Sequence, residues 1–177
     1  MATDRSNSTR DVLLLLFVGL YFYRIGATSL EGFFNYPFWK DMGPMMSNAD
    51  FIQLRSDHIW KIFLLIVAPA GISVLVTAAL AVVGAPPVPR WVFIGALLFQ
   101  LIAIASTIAI QLPIQQQLDT TGYDAAAIER LISTDLLLRK LPGLIQGIFV
   151  VVAMWRVIIS ARELHFTQAK DARLNSP

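Results

Sequence analysis

The chain has no cysteine. That excludes disulfides, thiolate metal sites and thiol redox chemistry, and with them the quinone-reducing enzymes that work through a cysteine pair inside a helical bundle. Histidine is scarce too. His58 and His165 are the only two, and the helix order puts them at opposite membrane faces, so no metal site is expected. Charged residues make up 15% of the chain, well under the soluble average of about 25%. The formal net charge of +2 gives no reason to invoke nucleic acid. Soluble-enzyme signatures are missing as well: there is no glycine-rich phosphate loop, Walker sequence, zinc-binding helix or nucleophile elbow.

What is present is apolar. Hydrophobic residues are 56% of the 177, the mean hydropathy is +0.62, and the apolar residues fall in long blocks separated by proline and glycine. The pattern predicts an all-α integral membrane protein. Its single domain is a four-helix up-down bundle over residues 12–165, between a disordered polar segment (1–11) and a polar tail (166–177). Arg5 and Arg10 before a 12-residue apolar run suggest a signal peptide, but Tyr21, Tyr23 and Arg24 stand where small residues and a cleavage site belong.

The first helix is expected to start near Asp11 and to be broken by Pro37, Gly43 and Pro44. Ser47 and Asp50 fit a capping box, so the second helix starts near Asn48, bends at Pro69 and stops at Gly84. The third spans about Arg90 to Gln117. Thr121 and Asp124 fit another capping box, which opens a fourth helix kinked at Pro142 and reaching His165. Four spans put both termini on one side. The basic residues of the two sides are nearly balanced, and a narrow margin places the termini in the cytoplasm and the protein in the cell membrane.

Polar residues interrupt these spans in a pattern. Arg24, Thr28, Glu31 and Asn35 follow at steps of four, three and four, one face of a helix. From a start near Asp11, Arg24 lies about 20 Å along the axis, near the middle of a hydrocarbon layer about 30 Å thick. Lipid exposure there costs about 2.5–3.5 kcal/mol, so Arg24 should face protein. Gln100, Thr107, Gln111 and Gln115 share a face of the third helix, and Asp135, Arg139 and Gln146 a face of the fourth. Glu31, Asn35, His58, Lys61, Gln111, Gln115, Asp135 and Arg139 all fall at helix ends away from the termini, where they can converge on one cavity with Arg24 at its floor.

Each residue has a plainer use. Glu31 can pair with Lys61 or Arg139, Lys61 can snorkel, His58 can be an interfacial residue, and the glutamines can hydrogen-bond between helices. Phe33, Phe34, Tyr36, Phe38, Trp39 and Trp60 suit an interfacial belt or the wall of an apolar pocket.

In helix order, in the proline and amides that lead the third helix out (QLPIQQQLD) and in Arg139 opening the fourth (LLLRKLPGL), the chain resembles the small four-helix membrane proteins grouped with anthrone oxygenases. Where that pattern has an asparagine soon after the proline, this chain has Ile114 and Gln115. The resemblance implies oxidation or another proton transfer on a lipophilic aromatic or polyketide-like substrate, with no metal, flavin or other cofactor.

The residues are compatible with such chemistry. Glu31 or His58 would take a proton in a dry pocket, and Arg139 or Arg24 would stabilise the resulting anion. Asn35, Lys61, Gln111, Gln115 and Asp135 would hold the substrate. A second class is a non-catalytic protein that binds or transports a lipophile or serves as a subunit of a membrane complex; a third is a membrane isomerase or cyclase. The expected partners are the bilayer and a lipophilic small molecule, with self-association left open.

Overall fold

The computed structural model describes the backbone of residues 2–174, with side chains described at 8–57, 61–163, 166 and 167. Four continuous helical runs, residues 2–45, 48–83, 90–121 and 125–174, make up nearly all of it. We call them the first to fourth helices. Each contains a stretch long and apolar enough to cross a membrane: Ser8–Met45, Phe63–Val83, Arg90–Thr121 and Ala125–Glu163. Large apolar side chains face outward along all four, among them Leu15, Leu75, Leu98 and Leu144. The buried set includes Arg24, Glu31, Arg55, Gln100, Gln111, Asp135, Arg139 and Gln146.

The helix ends differ in places from expectation. The first helix begins at Ala2, because the polar run before Asp11 holds no glycine or proline to break it. The fourth runs to Leu174 for the same reason. Ser47 caps the second helix as expected, its Oγ accepting from the Asp50 N–H at 3.2 Å. Asp124 alone caps the fourth, accepting from the N–H groups of Ala126 and Ala127 at 2.9 and 3.1 Å. Thr121 takes no part in that cap and instead donates to the Gln117 carbonyl at 2.8 Å. Gly84 ends the second helix at φ +74°, a left-handed conformation that suits glycine.

One departure is common to all four helices. Each contains a five-residue π-turn: Glu31–Asn35, Phe63–Val67, Thr107–Gln111 and Leu136–Lys140. A proline stands two residues beyond each, at Pro37, Pro69, Pro113 and Pro142. A proline ring clashes with the carbonyl four residues earlier and cannot donate to it. Widening the turn by one residue relieves the clash. The residue before each proline bonds five residues back, as in Tyr36 N–H to the Glu31 carbonyl and Leu141 N–H to Leu136. So Pro37 does not break the first helix, which continues to Met45. In two cases a neighbouring helix supplies the donor that the proline lacks. Tyr23 Oη donates to the Leu65 carbonyl at 2.9 Å, and Ser106 Oγ to the Leu138 carbonyl at 2.8 Å, sharing its one proton with the Ala103 carbonyl of its own helix, also at 2.8 Å. The Leu65 and Leu138 carbonyls lie four residues before Pro69 and Pro142.

Two apolar cores lie on either side of the π-turns. One gathers Phe17, Leu80, Val92, Phe93, Val150 and Ala153 beside the 84–89 loop. The other gathers Tyr36, Trp39, Phe51, Leu118, Ile128 and Leu131 beside the 43–47 and 122–124 turns. These two turns interlock: Asn48 Oδ1 accepts from the Tyr123 N–H at 3.3 Å, and Gly43 packs where a Cβ would strike the Tyr123 ring. Near the 84–89 loop each helix packs on the next in sequence. Near the turns the pairing changes: Tyr36–Met42 packs on Ala125–Asp135, and Asn48–Ile62 packs on Leu112–Thr121. The first and second helices part there.

Ser106→Ala should lower stability by about 1 kcal/mol, the net worth of a typical hydrogen bond. In a Pro142→Ala background, where residue 142 can donate to Leu138 again, the same substitution should cost much less. Thermal unfolding of the four proteins in detergent checks this double-mutant cycle; equal losses in both backgrounds would show that Ser106 does not compensate the proline.

Candidate functional site

Arg139 is the centre of the buried polar network. Its Nη2 donates to Glu31 Oε2 at 2.8 Å, its Nη1 donates to Tyr36 Oη at 3.1 Å, and Nη1 also lies 3.1 Å from Asp135 Oδ1. Lys140 Nζ lies 2.9 Å from Asp135 Oδ2 and 3.8 Å from the centroid of the Phe33 ring. Two carboxylates and two cations thus balance in a space where all four side chains are at most 11% exposed. The close approach needs Gly32, since a Cβ there would fall on Lys140 Nζ and the Asp135 carboxylate. Tyr36 extends the network to the third helix: its hydroxyl donates to Gln111 Oε1 and accepts from Gln115 Nε2, both at 3.4 Å. Gln111 Nε2 in turn donates to Thr134 Oγ1 at 2.8 Å.

Arg24 lies in a separate polar layer. It is buried and donates to Gln146 Oε1. Gln146 Nε2 donates to Gln100 Oε1 at 3.4 Å, which also accepts from Thr77 at 3.3 Å. Among the described residues no carboxylate lies in ion-pair range of Arg24. The expectation that Arg24 faces protein and a polar group from another helix agrees with this placement.

The single cavity expected from the sequence is divided in two. Glu31, Arg139, Asp135, Gln111 and Gln115 come together, but their space is filled by one another and by Tyr36. Asn35 and Lys61 are exposed and stand apart. The π-turn explains Asn35: an α-helix would place it four residues below Glu31, but the extra residue puts Tyr36 there and turns Asn35 away. His58 has its side chain outside the described residues. No three His, Asp or Glu side chains converge as a cation site among the described residues.

Open space lies in a cleft of about 930 Å³ between the first and second helices. On the first helix it runs from Phe22 to Trp39 and on the second from Leu54 to Ile66, with Glu31, Asn35, Arg55 and Lys61 as its charged and amide lining. Phe22, Leu30, Phe34 and Leu65 line it and are more than half exposed, so the cleft opens sideways. Arg55 roofs its turn end. Its guanidinium lies 4.3 Å from the centroid of the Trp39 ring, its Nε donates to Asp119 Oδ1 at 2.6 Å, and its Nη2 donates to the Gln115 carbonyl at 3.3 Å. Glu31 alone belongs to both places, lining the cleft and holding Arg139.

Sequence reasoning missed Tyr36 as a network member, the Arg55–Trp39–Asp119 contact, and Lys140. A proline six residues after Glu31 was the available sign that the turn below Glu31 would widen. Comparison with protein-family models, with curated proteins and with solved structures gave no match.

Arg139→Gln leaves two buried carboxylates short of a cation and should cost about 3–5 kcal/mol. Glu31→Gln leaves Arg139 its Asp135 and Tyr36 partners and should cost less, about 1–3 kcal/mol. Unfolding in detergent would order the two; equal losses would mean that Lys140 alone suffices for Asp135.

Proposed function

We propose that the chain is a multi-pass protein of the cell membrane, an up-down bundle with cytoplasmic termini, which admits a lipophilic small molecule from the bilayer into the cleft between its first two helices. The observation that carries this reading is the sideways-open cleft. Its volume of about 930 Å³ falls within the range of roughly 300–1,000 Å³ found for small-molecule sites. Its walls are aromatic and aliphatic with a few polar groups, which suits a ligand that dissolves in lipid. The membrane part of the reading rests on four apolar spans and on polarity that is inverted relative to a soluble protein, with leucine and phenylalanine outside and arginines inside.

Gly26 gives the direct test. It lines the cleft, and a Cβ there meets nothing within 4 Å, so a larger side chain fills the space without disturbing the core. In a chain whose only tryptophan is Trp39, a bromoalkane should quench fluorescence saturably, and Gly26→Phe should abolish the saturable part while leaving thermal stability unchanged. Quenching that never saturates, or that Gly26→Phe leaves alone, would remove the cleft as a binding site.

A second reading is favoured by Glu31, the carboxylate that touches both cleft and network. A molecule in the cleft would meet a base positioned by Arg139, with Tyr36 and the glutamines behind it. This is the arrangement that cofactor-independent oxygenation of a lipophilic aromatic would use. Incubating purified protein with anthrone in air should then yield anthraquinone and water, with O₂ as oxidant. The rate should fall in Glu31→Gln protein that still folds. No rate above the buffer control would sink the enzyme reading and leave the binding reading in place.

A further inference from the structure

The cleft is graded along its length, and the gradient matches one leaflet of a bilayer. Near the 43–47 turn its wall holds Trp39 and Arg55; toward the middle of the helices it holds Phe22, Gly26, Leu65 and Ile66. Lys61 stands between, six residues and about 9 Å along the second helix from Arg55. The charge is graded as well. Glu31 is held by Arg139 at 2.8 Å, so its charge is compensated from behind. Lys61 has no acidic partner among the described residues. Arg55 shares one nitrogen with Asp119 and a second with the Gln115 carbonyl, and its buried Nη1 is left without a hydrogen-bond partner. Nη1 is covered from solvent, so an anion at the cleft wall meets Arg55 through its charge and not through this donor. The cleft therefore has a cationic mouth and an apolar floor, and a side open to the surrounding chains.

Resting on the membrane reading above, we infer that the occupant is an anionic phospholipid from the leaflet on the turn side, its phosphate between Arg55 and Lys61. One acyl chain lies along Phe22, Gly26 and Leu65. The open side lets the second chain stay in the bilayer, a need that a closed pocket of this volume would not meet. Lys61 contacts the phosphate directly, and Arg55, held by its stack on Trp39, adds its charge from the roof of the cleft.

The test uses the full chain in a non-ionic detergent and native mass spectrometry with dioleoylphosphatidylglycerol, dioleoylphosphatidylcholine and oleate. One phosphatidylglycerol should bind per chain, about tenfold more tightly than phosphatidylcholine. Lys61→Gln should weaken it about fivefold or more while leaving thermal stability unchanged; Lys61→Arg should restore it. Because Arg55 is buried and Arg55→Gln threatens folding, the decision rests on the exposed Lys61 and on Gly26→Phe, which should exclude the lipid. Equal affinity for the two phospholipids, or no effect of Lys61→Gln, overturns the headgroup assignment. Oleate displacing phosphatidylglycerol at equal concentration overturns it too, in favour of a free long-chain acid. If bromoalkane quenching stays saturable in those cases, only this inference fails. If it does not saturate, the cleft reading fails with it.

Discussion

Arg139 places one positive charge among the Glu31 carboxylate, the Asp135 carboxylate and the Tyr36 hydroxyl, and the turn end of the molecule is arranged around that demand. A guanidinium out of water needs partners on every side, or its desolvation is not compensated. Two of the three partners come from the first helix, so the first helix is drawn to the fourth. Arg55 does the equivalent for the other pair, tying the second helix to Asp119 and Gln115 of the third. With helices one and four joined by one arginine and two and three by the other, the first and second are left apart. The cleft is the space between them, and the Arg55–Trp39 stack bridges its end.

The prolines make this separation compatible with continuous helices. Each helix keeps a regular apolar core near the 84–89 loop and then takes a π-turn. The wide turn changes which residues face inward, and the helix beyond it can pack on a different neighbour. Unpaired carbonyls are the cost, and Tyr23 and Ser106 meet it from adjacent helices. Such repair is what allows proline inside a helix with an apolar exterior.

Much of the architecture could be read in advance because it depends on local chemistry. Four apolar blocks, the Ser47 and Asp124 caps and the Gly84 stop all act within a few residues of themselves. The burial of Arg24 was legible for a related reason: its charge cannot face an apolar surround at low cost, whichever helix supplies the partner. The convergence of Glu31, Arg139, Asp135 and the glutamines was legible from depth alone, since those residues fall at matching heights in the four helices.

Face was not legible, and the partner of Glu31 only as a choice between Lys61 and Arg139, which tertiary structure decided for Arg139. Tyr36 looked like one aromatic in a belt and Asn35 like part of the Arg24–Glu31 face. One extra residue in the turn before Pro37 exchanged them, and an α-helical period of 3.6 has no place for that residue. Whether the converging charges would surround a void or fill it depended on side-chain volumes from three helices at once. The sequence alone thus determined that there are four apolar helices with polar groups at one end, because each such statement is a sum over neighbours along the chain. Only the fold decided that the arginines pair the helices one with four and two with three, and so that the open space lies beside the charge network instead of within it. Ion pairing across 108 residues, as between Glu31 and Arg139, has no local signature.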